Sequence, residues 1–247
     1  MGLEIMKLYD VPQINGQLYL RDSSDLWGFL QNGEYEPEET ELIKKLVKPD
    51  DICIDGGANI GYFTILMAKQ SKYVMSFEPE PSNRELLQKN LEVNKIINVF
   101  NDYFALAEFT GDTYLYLCDK SHGMHRIFRS KHCDKSIMIN AVKFDDIWAI
   151  THREINFVKL DLEGSELGAL KGMITMLGEC KPTILAEFHP PSIQEYGANP
   201  KQIYDLLTEL KYDIRLVPKI DESISYEDLY AATNNESGGQ NILCEKK

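Results

Sequence analysis

The chain has 247 residues, 43% of them hydrophobic, so it is long and apolar enough to build a sizeable core. Its formal net charge of −13 disfavours nucleic acids and anionic membranes as partners, because both are bound chiefly through Lys and Arg. No apolar run approaches the roughly 20 residues of a membrane-spanning helix, and the first residues do not have the pattern of a signal peptide.

The cysteines stand at wide spacings and include no Cys-x-x-Cys pair. This pattern argues against a disulfide framework and against a zinc site made of thiolates. We therefore expect free, mostly buried thiols and a cytoplasmic location, where the environment is reducing. The residues concerned are Cys53, Cys118, Cys133, Cys180 and Cys244.

No internal repeat or low-complexity linker divides the chain. We expect one domain over residues 36–247, preceded by an N-terminal extension over residues 1–35 that holds a short strand at 18–20 and a short helix at 25–30. After Pro37, acidic residues in a first turn and apolar residues at helical spacing predict a helix. It ends near Pro49.

Strands and helices then alternate, which is typical of a parallel sheet with right-handed crossovers. Gly111-Asp112 predicts a hairpin within residues 103–117, and the polar segment 119–136 is expected to be irregular and close to the ligand. About seven strands with helices on both faces make a Rossmann-like α/β fold. The strands are expected at 52–54, 73–77, 97–100, 137–139, 155–160, 183–186, 212–217 and 241–244, and the helices at 62–68, 81–94, 165–177 and 200–211.

The loop after the first strand of this sheet reads Asp55-Gly56-Gly57-Ala58-Asn59-Ile60-Gly61. Its three glycines allow a tight turn and a close approach of backbone to ligand. Glu78 ends the next strand, about 20 residues further on, where a carboxylate can bind the two hydroxyls of a ribose. An adenosine-containing cofactor is therefore expected at the carboxyl ends of these strands.

The details of the loop favour S-adenosylmethionine over a dinucleotide. The dinucleotide pattern Gly-x-Gly-x-x-Gly needs a glycine where Ala58 stands. Asp55 suits a cationic amino-acid group, and S-adenosylmethionine has an ammonium, a sulfonium and no phosphate. The predicted cofactor-binding residues are Asp55, Gly57, Asn59 and Gly61 at the methionine end, Glu78 at the ribose, and Asn101 or Asp102 near the adenine. An NAD-dependent oxidoreductase and a non-catalytic cofactor-binding protein are the alternatives.

Polar side chains at the later strand ends are candidates for the chemistry of the acceptor. Methyl transfer needs an aligned acceptor and, for a hydroxyl, a group that removes a proton. The candidate catalytic residues are Asp161, Glu163, Glu187 and His189. The position of Glu163 is also typical of an ordinary helix start, and that of His189 is typical of an ordinary loop residue. The same four side chains also include the ligand types of a divalent-metal site.

Several of these motifs, taken together and in order, resemble the FkbM family of methyltransferases. They are Gly33-Glu34-Tyr35-Glu36-Pro37, the loop Asp55–Gly61 with Tyr62-Phe63-Thr64, Phe77-Glu78-Pro79-Glu80-Pro81, Asn90, Val158-Lys159-Leu160-Asp161-Leu162-Glu163-Gly164-Ser165-Glu166 and Leu170-Lys171-Gly172. The resemblance implies a class I methyltransferase fold with a final antiparallel strand. It also implies O-methylation of a small-molecule acceptor, such as a sugar. Segment 119–136 matches nothing in that family, so the acceptor stays open.

Overall fold

The computed structural model describes residues 6–21, 26, 33–118, 124–130, 133, 135–235 and 239–246. Twelve strands lie in this part of the chain. They are β1 Met6–Val11, β2 Gly16–Arg21, β3 Ile52–Gly56, β4 Tyr73–Phe77, β5 Val99–Asp102, β6 Ala105–Leu106, β7 Gly111–Leu117, β8 Lys135–Val142, β9 Phe157–Leu160, β10 Thr183–Phe188, β11 Tyr212–Leu216 and β12 Gln240–Lys246.

Seven of the strands form one sheet in the order β11-β12-β10-β9-β3-β4-β5. Its strands are parallel except β12, which pairs antiparallel with both β10 and β11. The predicted Rossmann-like fold with a terminal antiparallel strand is therefore confirmed. The α-helices in the described residues are α1 Pro37–Leu46, α2 Tyr62–Ala68, α3 Pro81–Val93, α4 Phe144–Thr151, α5 Glu166–Gly172, α6 Ile174–Cys180, α7 Pro190–Glu195, α8 Lys201–Glu209 and α9 Tyr226–Thr233.

A hydrophobic core lies on each face of this sheet. Helices α1, α2 and α3 and the β1–β2 hairpin cover one face, where Cys53, Phe157 and Leu185 are buried. Helices α4 to α9 cover the other face, over Ile54 and Val158. Neighbouring residues of one strand thus enter different cores, because side chains alternate across a sheet.

The N-terminal hairpin is held against α3 by two asparagines. The Asn90 side chain accepts from the Tyr19 amide at 2.6 Å and donates to the Ile60 carbonyl at 2.8 Å. The Asn94 side chain accepts from the Gln17 amide at 3.0 Å. These bonds join the hairpin to the loop after β3. The division at residue 35 between an extension and a domain stays a prediction.

The hairpin predicted around Gly111-Asp112 is wrong. β7 does begin at Gly111, but its antiparallel partner is the following strand β8, and the short β6 pairs parallel with β8. The local turn signal could not show this, because the partner of β7 lies beyond the polar segment. These three strands form a separate sheet.

The expectation that all cysteines are free is also wrong. Cys118 and Cys133 are joined by a disulfide. Strand pairing brings them together, since Leu117 at the end of β7 faces Lys135 at the start of β8. Cys53, Cys180 and Cys244 are free thiols, as expected. The inference of a reducing compartment from free thiols therefore does not apply to Cys118 and Cys133.

Several element boundaries differ from those expected. The third strand begins at Val99, and the helix expected at 165–177 is two helices, α5 and α6. Strand β1 and helices α4, α7 and α9 were not predicted. The helix expected at 25–30 lies outside the described residues apart from Leu26, which is helical. Within the described parts of the chain, no helix has the length and apolar character to cross a membrane.

Candidate active site

A cavity of about 520 Å³ opens at the carboxyl ends of the parallel strands. The loops after β3, β4 and β9 and the end of β10 all contribute to its wall, as the switch point of an open parallel sheet predicts. Seven of the predicted site residues line it together: Asp55, Gly57, Asn59, Glu78, Asp161, Glu163 and Glu187.

The glycine loop bends between β3 and the cavity. Gly57 has φ of +80°, and a Cβ there would collide with the carbonyl oxygen of Asp161. Gly61 has φ of +94° and a Cβ there would collide with Leu87 of α3. The amides of Gly57 and Ala58 both donate to the Phe77 carbonyl, which fixes the loop against β4. Gly57 is therefore required by backbone conformation and by lack of space, and Gly61 chiefly by backbone conformation.

Glu78 is a buried carboxylate that ties the loop to the end of β4. Its Oε2 accepts from the Asn59 amide at 2.8 Å and its Oε1 from the Glu80 amide at 2.9 Å. Burial raises the pKa of Glu78 to about 7, although both amide bonds lower it in part. Each carboxylate oxygen has a second lone pair. The side chain can therefore accept from a ligand hydroxyl while it holds the loop.

Asp55 lies beneath the loop, 1% exposed. Thr64 of α2 donates to its Oδ2 at 2.5 Å, while its Oδ1 and the Asn59 Oδ1 are buried with no hydrogen-bond partner among the described residues. Burial raises the pKa of Asp55, and the nearby Lys159 lowers it in part. Two unpaired acceptor oxygens, one from a carboxyl group, fit a ligand that brings positive N–H donors.

Lys159 is a buried cation of this wall and lies beside Asp55 in the sheet. Its Nζ lies 3.1 Å from Asp161 Oδ2 and 4.5 Å from the centre of the Phe63 ring. Glu36, before α1, is a further acid near it, and burial raises the pKa of Glu36 to about 7. Acidic residues of β3, of the loop after β9 and of the segment before α1 thus converge on one lysine.

Glu163 follows Asp161 by two residues, in the loop before α5. Its φ of +55° turns the loop back toward the cavity. Burial and the neighbouring Asp161 raise the pKa of Glu163 to about 8, and Arg126 lowers it in part. Arg126 Nη2 lies 3.7 Å from Glu163 Oε2. A carboxyl group whose pKa is close to neutral can hold or release a proton under working conditions.

Arg126 joins the segment 124–130 to the loop before α5 and to α7. In addition to its ion pair with Glu163, it donates to Glu195 at 2.6 Å and to Ser192 at 3.2 Å, both in α7. Ser130 donates to the same Glu195 at 2.9 Å. The segment 124–130, which places Met124, His125 and Ile127 in the cavity wall, is therefore anchored on α7.

Glu187 comes from β10 and faces the same cavity. Burial raises its pKa well above the ordinary value, and the charges of Asp161 and Glu163 add to this effect. The structure therefore brings together three of the four candidate catalytic residues. Among the described residues, no cluster of three His, Cys, Asp or Glu side chains is arranged to hold a metal ion.

Four predicted residues do not line the cavity. Gly61 caps α2 behind the loop. Asn101 and Asp102 lie at the end of β5, where the Asp102 carbonyl accepts from the Glu78 amide at 3.1 Å. The ring nitrogens of His189 lie 2.7 Å from Ser192 Oγ and 3.3 Å from the Asn235 carbonyl oxygen. The roles expected of Gly61, Asn101, Asp102 and His189 stay predictions.

Among the residues that line the cavity or anchor its wall, the prediction missed Tyr35, Glu36, Arg126 and Lys159. Lys159 had a visible signal, since it interrupts the apolar strand Phe157–Leu160 at the centre of the sheet. Arg126 had no such signal, because its hydrogen-bond and ion-pair partners Glu163, Ser192 and Glu195 are distant in the sequence.

Several known proteins resemble this chain in sequence. A family model described as the methyltransferase FkbM domain matches residues 55–214. Methyltransferase 1 of Beauveria bassiana is 25% identical over 148 residues, 51% of this chain and only 59% of that protein. The hexuronic acid methyltransferase AglP of Haloferax volcanii is 27% identical over 180 residues, 71% of this chain and 69% of that protein.

The fold also matches a solved structure. That structure is SMU.1697c from Streptococcus mutans in complex with SAH, with a TM-score of 0.53 and 12% identity. The match covers 87% of this chain and 99% of that one. At this identity the likeness concerns the fold alone.

Proposed function

The chain belongs to the FkbM methyltransferase family, and from that premise we propose that it transfers a methyl group from S-adenosylmethionine to a hydroxyl of a sugar or another small metabolite. One observation carries the proposal: the glycine loop, Glu78 and the carboxyl groups of Asp161 and Glu163 line the same cavity. Donor-binding and proton-accepting groups therefore face one space, as transfer between two bound molecules requires.

The donor half of the cavity suits S-adenosylmethionine. Its sulfonium supplies an electrophilic methyl group. Asp55 and Asn59 offer the unpaired oxygens for the donor's ammonium. Glu78 accepts from the ribose hydroxyls, and the bend at Gly57 keeps side-chain atoms out of the ligand's path. A nicotinamide cofactor fits less well, because Ala58 replaces the glycine that approaches a pyrophosphate.

In the acceptor half, Glu163 is our choice for the group that accepts the hydroxyl proton. It lines the cavity, and its pKa of about 8 leaves a usable fraction ionised near neutrality. Asp161 and Glu187 lie in the same wall and can orient further hydroxyls of the acceptor. His189 is a weaker choice, since both ring nitrogens already contact Ser192 and Asn235.

Two observations favour a small metabolite as the acceptor. A relative named for hexuronic acid methylation is 27% identical. The chain's net charge of −13 disfavours a phosphate backbone. We therefore expect the acceptor to be a small hydroxylated molecule, and a nucleic acid is the alternative acceptor that the test includes.

The test is transfer of labelled methyl from S-adenosylmethionine to a panel of neutral sugars, uronic acids, polyols and transfer RNA. We expect label in a sugar or polyol, and loss of that label in the Glu163→Gln variant. Label in RNA alone would contradict the acceptor class. A wild type that binds the donor but labels nothing in a broad panel supports the non-catalytic alternative. A wild type that does not bind the donor contradicts the methyltransferase proposal itself.

A further inference from the structure

Lys159 is a charged residue in an unfavourable place. It lies in β9, the fourth of seven strands, directly beside Asp55 of β3 and Leu185 of β10. Its side chain is 3% exposed. Burying an ammonium costs several kcal/mol unless opposite charges compensate for it. A lysine in this position therefore needs an explanation, and the mechanism proposed above does not use it.

The compensating charges come from several elements. Asp161 follows the same strand, Asp55 lies on β3, Glu36 precedes α1, and Glu187 lies on β10. Burial on its own lowers the pKa of Lys159. The charges of Asp161, Glu36 and Asp55 raise it by more than burial lowers it, so the side chain stays protonated. The Phe63 ring of α2 covers the ammonium from a further side.

Lys159 in turn affects the carboxyl groups that surround it. Lys159 lowers the pKa of Asp55 and of Glu36, against the effect of burial. It also holds the Asp161 carboxylate at 3.1 Å. The carboxyl groups around Lys159 outnumber it, and Asp55 Oδ1 lacks a partner among the described side chains. Asp55 and Asp161 both line the cavity.

We propose that Lys159 is a positioning residue whose ammonium, paired with Asp161, holds the neighbouring carboxyl group of Asp55 in place, so that Asp55 binds the cationic amino-acid end of the methyl donor. The inference rests on the proposed function, because it needs a donor of that charge in this cavity. Lys159 acts through Asp55, and it need not touch the donor itself.

The test is the Lys159→Met variant, which removes the charge and keeps an unbranched chain of similar length. Calorimetry gives the Kd of S-adenosylmethionine at about pH 5.5 and about pH 7.5, both below the α-amino pKa of about 8. 5′-Methylthioadenosine is measured in parallel. It has the nucleoside and sulfur of the donor without the amino-acid end. It therefore corrects for titration of Glu78 and reports whether the pocket is folded.

Removing a nearby opposite charge raises the pKa of a carboxyl group by about 1 unit or more, and Lys159 is a charge that lowers the pKa of Asp55. The ratio of the donor's Kd at the lower pH to that at the higher pH should therefore be larger in the Met variant than in the wild type, by up to about tenfold for each unit of pKa. The corresponding ratio for methylthioadenosine should not change. Lys159→Arg should restore the wild-type ratio.

The exposed Lys171 of α5, paired with Glu108 at 3.4 Å, provides the control variant Lys171→Met, which should match the wild type. An unchanged ratio in a Met variant that binds methylthioadenosine overturns the inference. If the Met variant binds neither compound, its pocket has not folded, and Lys159→Gln is judged by the same ratio. A wild type that binds neither compound contradicts the proposed function instead.

Discussion

The carboxyl group of Glu78 holds two loop amides and also borders the cavity, and one substitution tests both roles. Glu78→Ala should weaken donor binding by about 1.5–3 kcal/mol, the value of a hydrogen bond to a charged group. Calorimetric titration measures the change. The exposed Glu85, one turn into α3, provides the control Glu85→Ala, for which unchanged affinity is expected.

At Gly57 the backbone itself demands glycine. An L-residue at positive φ costs about 1–2 kcal/mol, and here a Cβ would also collide with Asp161. Gly57→Ala should therefore lower the thermal midpoint by several degrees and abolish donor binding. Gly178→Ala is the matched control. That position in α6 has space for a methyl group, so a gain of about 0.5–1 kcal/mol is expected. Equal midpoints for the two variants would contradict the explanation.

The ionisation of Glu163 predicts the pH dependence of the reaction. Its pKa is raised to about 8, so the carboxyl group is protonated below that pH and cannot accept a proton. The maximal rate should rise with pH and level off above about 8. Glu163→Gln should lose most of the activity together with this dependence. A wild-type profile that is flat between about pH 6 and about pH 9, roughly three units that span the pKa of Glu163, would show that another group accepts the proton.

The segment 124–130 is the element that most affects the acceptor side. Arg126 joins it to Glu163 and to Glu195 of α7. Arg126→Met should raise the acceptor KM by about tenfold or more, from the loss of at least one charge-assisted bond. It should also move the pH profile upward, because Arg126 lowers the pKa of Glu163.

The donor Kd should not change in this variant, because Arg126 is not in the donor half of the wall. The exposed Arg129 of the same segment provides the control Arg129→Met, which should keep the wild-type KM. Equal effects on donor and acceptor binding would show instead a general loss of structure.

For the whole molecule, donor binding should appear as thermal protection. A ligand at 100 times its Kd adds about 2.7 kcal/mol of stability. For a chain of this size that corresponds to about 5–10 °C in the thermal midpoint. Differential scanning fluorimetry should show this shift with S-adenosylmethionine and little or none with NAD. A larger shift with NAD than with S-adenosylmethionine would favour the oxidoreductase alternative. The Glu78→Ala variant should lose most of the shift that S-adenosylmethionine produces.

Local physical constraints explain what was predictable from the sequence. Periodicity gave the parallel sheet and most of its helices, because a strand or helix buries one face and its residue types show it. The Asp55–Gly61 loop was predictable because positive φ and close packing both demand glycine. Glu78 followed from its distance along the chain, since one strand–helix–strand unit has a nearly fixed length.

Contacts between distant residues were decided only by the tertiary structure. The pairing of β7 with β8 joined Cys118 to Cys133, which the spacing of the cysteines did not indicate. The convergence of Glu36, Asp55 and Asp161 on Lys159 depends on strand order and on the packing of α1. The pKa of each group depends on burial and on these neighbours. The sequence therefore determined which groups the site contains, and folding determined their ionisation and their partners.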